Sequence, residues 1–194
     1  WGLPMMKNEE TGRYLREGKW QIMIHGESYK PIVAEAAKKS AELTETDSLY
    51  TQAANTFIES SLMPNTDNEK RVYSLSVAKN LFQKSLDLNP NSIDANNGMA
   101  LAVIQLGQDP PMVGIGYLKK SLEIDSNNFS TNYLYAQMLV MSTQYEKAVK
   151  VYNKLLNLQP SNAGLYFTIS DIYGKMGEKE KAKEFLNKAK SLNK

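Results

Sequence analysis

Four short segments recur along the chain at nearly constant spacing: Leu86-Asp-Leu-Asn-Pro90, Leu122-Glu-Ile-Asp-Ser126, Leu156-Asn-Leu-Gln-Pro160 and Lys190-Ser-Leu-Asn-Lys194, offset by 36, 34 and 34 residues. A period of this length confines the chain to a repeat architecture, in which each unit buries its apolar face against the next. Each interval holds two amphipathic helical stretches with a break between them, and Gly107 and Gly177 close the first stretch. Bulky and small residues sit side by side on the first helix at Met99-Ala100, Tyr135-Ala136 and Ile169-Ser170. Val103, Leu139 and Tyr173 follow one turn later on the same face. The second helix carries Ala78, Ala148 and Ala182 where two helices approach most closely, with Phe82, Tyr152 and Leu186 four residues on. Pro90 and Pro160 stop the second helix.

This placing of small and aromatic residues in a 34-residue period resembles the tetratricopeptide repeat. The resemblance covers three full units, 93–126, 129–160 and 163–194, and implies an all-α solenoid of stacked helix-turn-helix repeats wound into a right-handed superhelix. Upstream, 48–90 reads as a divergent unit. Its first helix runs from Leu49 to Leu62, with Tyr50, Ala53, Ala54 and Phe57 in first-helix roles, and its second from Leu75 to Leu88. Between them Met63 to Arg71 reads as a turn grown into a surface loop, an insertion that loop-closure entropy tolerates. Pro31 to Leu43 is expected to form a lone helix or cap, so that the repeat domain spans 29–194. Residues 1–28 show no period and read as an extended arm or linker. In the first full unit the turn is two residues longer than its neighbours. Pro110-Pro111 cannot lie inside a helix, so Pro111 is expected to open the second helix, Gly114 to fill the small position, and Asp109 to cap the turn.

Composition excludes most chemistry. The 194 residues include no Cys and a single His, His25, which removes thiolate nucleophiles, zinc-thiolate sites and any metal site built on several imidazoles. Twenty-three Lys and Arg against 21 Asp and Glu leave a net charge of +2, too small to point to nucleic acid or anionic lipid. Gly114-x-Gly116 lacks the strand and third glycine of a dinucleotide loop, and Asn65 to Glu69 lacks the acid spacing of a calcium loop. No stretch approaches the 18 or so apolar residues of a membrane span, and the nine Met read as core filler. No catalytic residue, cofactor or metal is expected.

The family resemblance implies that first helices line a concave groove that holds a peptide or helix. Projecting the repeat positions inward gives Ser48, Thr51, Gln52, Asn55 and Glu59, then Asp94, Asn97, Leu101 and Gln105. Ser130, Tyr133, Leu134, Gln137 and Met141 come from the next unit, and Phe167, Thr168, Asp171 and Lys175 from the last. From these, Asn55, Asn97, Leu101, Tyr133, Gln137, Phe167 and Asp171 are the candidate partner contacts. Asn and Gln amides both donate to and accept from a peptide backbone, and Tyr133 and Phe167 offer apolar anchors at small entropic cost. Asn55, Asn97 and Gln137 are expected to be exposed, Met141 to pack against the neighbouring repeat, and Tyr133 and Leu134 to do either. Family members that grip a chaperone's C-terminal carboxylate use five basic or Asn positions. Only Asn55 matches, whereas Thr51, Gly98, Ser130 and Leu134 occupy the rest, so no carboxylate clamp is expected. A slightly acidic groove also disfavours RNA.

These readings converge on a non-catalytic scaffold that binds a segment of a partner protein in its concave groove as part of a multiprotein assembly. Gln108 to Leu118 and Gln144 to Ala148 resemble bacterial envelope repeat proteins that follow a membrane anchor. That resemblance implies a periplasmic location at a membrane reached through a lost anchor or a partner, the alternative being the cytoplasm. Rival readings are a structural subunit docked through its N-terminal arm and an accessory module of a cytochrome or protein assembly machine. Trp1, Leu3, Met5, Tyr14 and Trp20 raise a further expectation, that the arm fills the protein's own groove.

Overall fold

The first helix of every repeat is preceded by a residue whose side chain caps it, and these caps set the frame. In the computed structural model, which describes residues 23–24, 27–28, 30–64 and 66–192, Thr46, Ser92, Asn128 and Asn162 each accept a hydrogen bond on the side chain from a backbone N–H in the first turn of the helix they precede. Such caps are worth about 1 kcal/mol each. The helices they open are α2 (Asp47–Ser61), α4 (Ile93–Leu106), α6 (Phe129–Met141) and α8 (Ala163–Lys175), the first helices of four repeats. Their partners are α3 (Asn68–Leu88), α5 (Pro111–Ile124), α7 (Tyr145–Leu158) and α9 (Lys179–Leu192), and α1 (Lys30–Thr44) packs on α2 ahead of the first repeat. The chain is an all-α helical repeat solenoid. Ahead of it, β1 (Met23–Ile24) and β2 (Glu27–Ser28) form a two-residue antiparallel pairing. His25 and the expected groove-filling aromatics of the arm lie outside the described residues.

Most sequence expectations about the turns hold. Gly107 ends α4 in the left-handed region at φ 64°, and Pro111 opens α5, where its missing N–H costs nothing. Gly114 is buried where a Cβ would lie 2.7 Å from the Ile104 side chain and 3.1 Å from Ala100 O, so a larger residue here would force Ile104 to shift. Two expectations are corrected. The loop after α2 is shorter than the sequence suggests, because α3 begins at Asn68, seven residues before Leu75. Asp67 caps it, accepting from Lys70 N at 2.8 Å, and the added turns place Tyr73 edge-on to Phe57 and within hydrogen-bonding distance of Glu35. Asp109 does not cap its turn. Its carboxylate pairs with Lys79 of α3 at 2.6 Å and straps the enlarged turn to the preceding repeat.

The core falls into two apolar clusters. One runs through α1 to α4 and centres on Tyr50, Phe57, Leu81, Phe82 and Met99. The other runs through α6 to α9 and centres on Tyr152, Leu155, Ile169 and Ile172. Second helices are tied back by hydroxyls, with Ser85 Oγ donating to Asp47 O at 2.9 Å. The first-repeat seam is far more extensive than the two after it; α3 is longer than α5 and α7, and Gly98 allows a close approach. Gln52, Leu134 and Thr168 hold its place in the other repeats, whereas Gly98 lets the ring of Phe82 lie against the α4 backbone.

Tyr152 is 1% exposed, and burial first, then the neighbouring Tyr133, pushes its hydroxyl up to about 12. Between pH 10 and 12 the unfolded chain therefore releases this proton while the folded chain keeps it, so stability falls as pH rises through that window, by about 2 kcal/mol in all. Tyr152→Phe removes the group, and its urea-unfolding free energy should fall less steeply over this range. Parallel curves for the two proteins would contradict the burial.

Candidate functional site

The first helices α2, α4 and α6 stand side by side, since α4 touches both α2 and α6, and the side chains projected onto the open face of the first helices divide into two kinds. Some are consumed by the stack. Thr51 is 8% exposed and shares a 2.8 Å hydrogen bond with Ser85. Asn97, expected to be exposed, is 7% exposed: its Nδ2 donates to Thr131 Oγ1 at 2.9 Å, and that hydroxyl lies 3.1 Å from Asn97 Oδ1. The pair bridges α4 to α6, where the two apolar clusters part, so Asn97 is withdrawn as a partner contact. The polar side chain reads as an exposed amide in the sequence because nothing local reveals that a hydroxyl 34 residues away meets it. Gly98 is likewise buried in the seam with α3.

The others remain accessible. Asn55 and Asp171 are exposed, and Leu101, Tyr133, Gln137 and Phe167 are half-buried. Leu101 packs on the first cluster, and Tyr133 and Phe167 pack on the second. Tyr133 is held by its neighbours, stacked on Phe129 with centroids 6.3 Å apart and meeting Tyr152 edge-on at 6.0 Å, so one edge of a fixed ring faces outward. Met141 overturns the expectation that it packs, being 70% exposed at the end of α6. With Tyr133 and Gln137 it completes a stripe at spacings of four, which place side chains on one helical face. That spacing is a signal legible in the sequence.

Charge on this face is sparse. Glu59 pairs with Lys30 at 3.1 Å on the surface, worth little in stability, and Asp171 leaves an acid at the α8 end. Among the described residues no group of three or more His, Cys, Asp or Glu could hold a metal ion, and no helix is long and apolar enough to cross a membrane. The arrangement offers amides, a phenol, a phenyl ring and a thioether, groups suited to adhesion.

Family models described as tetratricopeptide repeat and TPR repeat match residues 163–194 and 136–177. Tetratricopeptide repeats make up residues 136–194. Among curated relatives, tetratricopeptide repeat protein 21 homolog from Caenorhabditis briggsae is 32% identical over 72 residues, 37% of this chain. A local stretch of the adenylylsulfate reductase alpha subunit from Megalodesulfovibrio gigas is 44% identical over 59 residues, 21% of this chain. The chain spans 5% and 9% of the length of these two relatives. The fold is shared with the solved structure of MamA, with a TM-score of 0.67 at 16% identity over 84% of this chain and 88% of that one. It is also shared with YrrB, a TPR protein with an unusual peptide-binding site, with a TM-score of 0.55 at 19% identity over 84% of each chain.

Proposed function

We propose that this chain is a non-catalytic scaffold that holds a segment of a partner protein along the open face of α2, α4, α6 and α8. The observation that carries this reading is the row of accessible side chains on packed helices: Asn55, Leu101, Tyr133, Gln137, Met141, Phe167 and Asp171. Rings and aliphatic side chains fixed by a core bind with little further loss of freedom, and amides between them can satisfy a peptide backbone. The peptide-binding site of YrrB supports the same use of the fold. Placement in a membrane-associated envelope assembly rests on the sequence resemblance alone, and fractionation of native cells tests it.

Photocrosslinking tests the binding face. A benzophenone side chain placed at Gln137 or Asn55 should give one discrete adduct in native cells, and the same group at Lys183 on the outer surface of α9 should give none. The double variant Asn55→Arg, Gln137→Arg should reduce that adduct, read from a probe at Leu101, roughly tenfold with unchanged melting, the effect of losing about 1.4 kcal/mol of binding. Adducts of equal yield at Lys183, or undiminished capture by the double variant, would overturn the reading.

A further inference from the structure

Asn97 and Gly98 are neighbours, and theirs is the only Asn-Gly sequence in the chain. The pairing carries a reaction of its own. A backbone nitrogen that follows an asparagine can attack the side-chain carboxamide and close a five-membered succinimide ring, and glycine, having no Cβ to obstruct the approach, allows this best. Three features of the fold hold the reaction off. Both residues lie within α4, where ring closure would need an extended backbone at Asn97 and where the Gly98 N–H is committed to the carbonyl four residues back, that of Asp94. The Asn97 carboxamide is engaged as well, with Nδ2 2.9 Å and Oδ1 3.1 Å from the Thr131 hydroxyl of α6. The Phe82 ring lies against Gly98, and Asn97 and Gly98 are both buried, so solvent is kept from them.

All three safeguards fail together. Any opening that unwinds α4 must part Asn97 from Thr131 and lift Gly98 off Phe82. The Asn97 contact crosses from one apolar cluster to the other, where the α5–α6 seam is thin, so the strength of that pair is part of what keeps α4 closed.

We propose that Asn97 is a site of self-modification, at which each opening of α4 exposes the side chain to loss of ammonia and permanent conversion to aspartate or isoaspartate. In the first step the bond from Gly98 N to Asn97 Cγ forms, the Cγ–Nδ2 bond breaks, and the Gly98 amide proton leaves with Nδ2 as ammonia. Water then adds to one of the two ring carbonyls. Opening at Cγ gives aspartate, and opening at the backbone carbonyl routes the chain through the side chain and gives isoaspartate. Neither product fits the closed seam. Aspartate has no N–H to donate to Thr131 and brings a charge to a position only 7% exposed. Isoaspartate adds a carbon to the backbone and breaks the hydrogen-bond ladder of α4. A modified chain therefore closes less well than before, and α4 keeps a lasting record of having opened.

The test follows the conversion by mass spectrometry of the tryptic fragment 85–119 from the full chain, incubated at mildly alkaline pH either folded or in concentrated guanidinium chloride. Conversion at Asn97 should be on the order of a hundredfold or more faster in denaturant, because the folded rate is scaled by the small fraction of chains that are open. Asn91, exposed before Ser92 in the same fragment, is the internal reference and should change far less between the two conditions. Thr131→Val should raise the folded rate roughly tenfold and leave the denatured rate unchanged, since it weakens the seam without touching the reacting atoms. Gly98→Ala should slow conversion in denaturant, which places the attack on the nitrogen of residue 98. Should Thr131→Val fail to fold, the parent protein in denaturant below its unfolding midpoint carries the comparison, and conversion should rise in step with the unfolded fraction. Equal rates in the folded and denatured chain, faster conversion at Asn91 than at Asn97 in denaturant, a folded rate indifferent to both Thr131→Val and mild denaturant, or a denatured rate indifferent to Gly98→Ala would overturn the proposal.

Discussion

Gly98→Ala is expected to destabilise the protein by about 2–3 kcal/mol, a large effect for adding one methyl group. A Cβ at this position would lie 2.1, 2.3 and 2.8 Å from three atoms of the Phe82 ring. Phe82 has no exposed surface and sits in the first apolar cluster among Leu81, Leu86 and Met99, so the ring cannot swing out to make room. Two terms oppose each other. Alanine is the better helix former by about 1 kcal/mol in a helix interior, whereas forcing a carbon into a filled core costs about 1–3 kcal/mol and occasionally more, and contacts this short put Gly98 at the upper end. Sterics win because the clash is with a buried ring and the helix is already held by its cap and its packing. A double-mutant cycle separates the terms. Phe82→Leu alone leaves a cavity and is destabilising, but in combination with Gly98→Ala the total should fall short of the sum by about 1 kcal/mol or more, because the shortened side chain vacates the space the methyl group needs. Urea unfolding of the four proteins reads the result, and strict additivity would mean that Phe82 and Gly98 do not meet.

The same glycine shows what kind of information the sequence carries. Its 34-residue period, the pairs Met99-Ala100 and Ile169-Ser170 and the stops at Pro90 and Pro160 are signals written within one repeat, and they are enough to place the helices of the stack. The α3 start is hidden because Asn68 to Arg71 is polar throughout, and what makes it helical is the Asp67 cap together with Tyr73 reaching Phe57 and Glu35. Contacts between repeats are less legible. Gly98 and Asn97 occupy positions that an ideal repeat turns toward the groove, yet Phe82 and Thr131 claim them, and both partners lie in other repeats. Met141 misleads in the opposite direction: its apolar side chain suggests the core, although the helix ends there and leaves it 70% exposed. For the binding face, then, the accessible positions of α6 follow from helical spacing, and the withdrawn positions need the neighbouring repeat.

Asn97→Ala is expected to cost about 2 kcal/mol, and the loss should appear in the stack before it appears in binding. Substitution removes a side chain that exchanges hydrogen bonds with Thr131 in a site from which water is largely excluded, and it leaves the Thr131 hydroxyl with Asn128 Oδ1, at 3.0 Å, as its remaining side-chain partner. The position matters more than the number of bonds. The first apolar cluster reaches as far as α4 and its fringe at Tyr117, the second begins at α6, and the α5–α6 seam is thin, so this amide and hydroxyl are among the few groups that cross from one half of the solenoid to the other. In a repeat array, stability is close to a sum of unit terms and nearest-neighbour interface terms, and weakening one interface lowers the cooperativity between the halves. Asn97→Ala should therefore broaden the unfolding transition and speed amide exchange in α6 more than in α2. Thr131→Val should do the same, and the two substitutions together should be less harmful than their sum by about 1 kcal/mol, since either alone breaks the shared bonds. Partner capture then distinguishes a seam residue from a contact residue. If Asn97 acts through the seam, lowering the temperature until the variant is as fully folded as the parent restores capture, whereas a persistent deficit under those conditions would return Asn97 to the binding face.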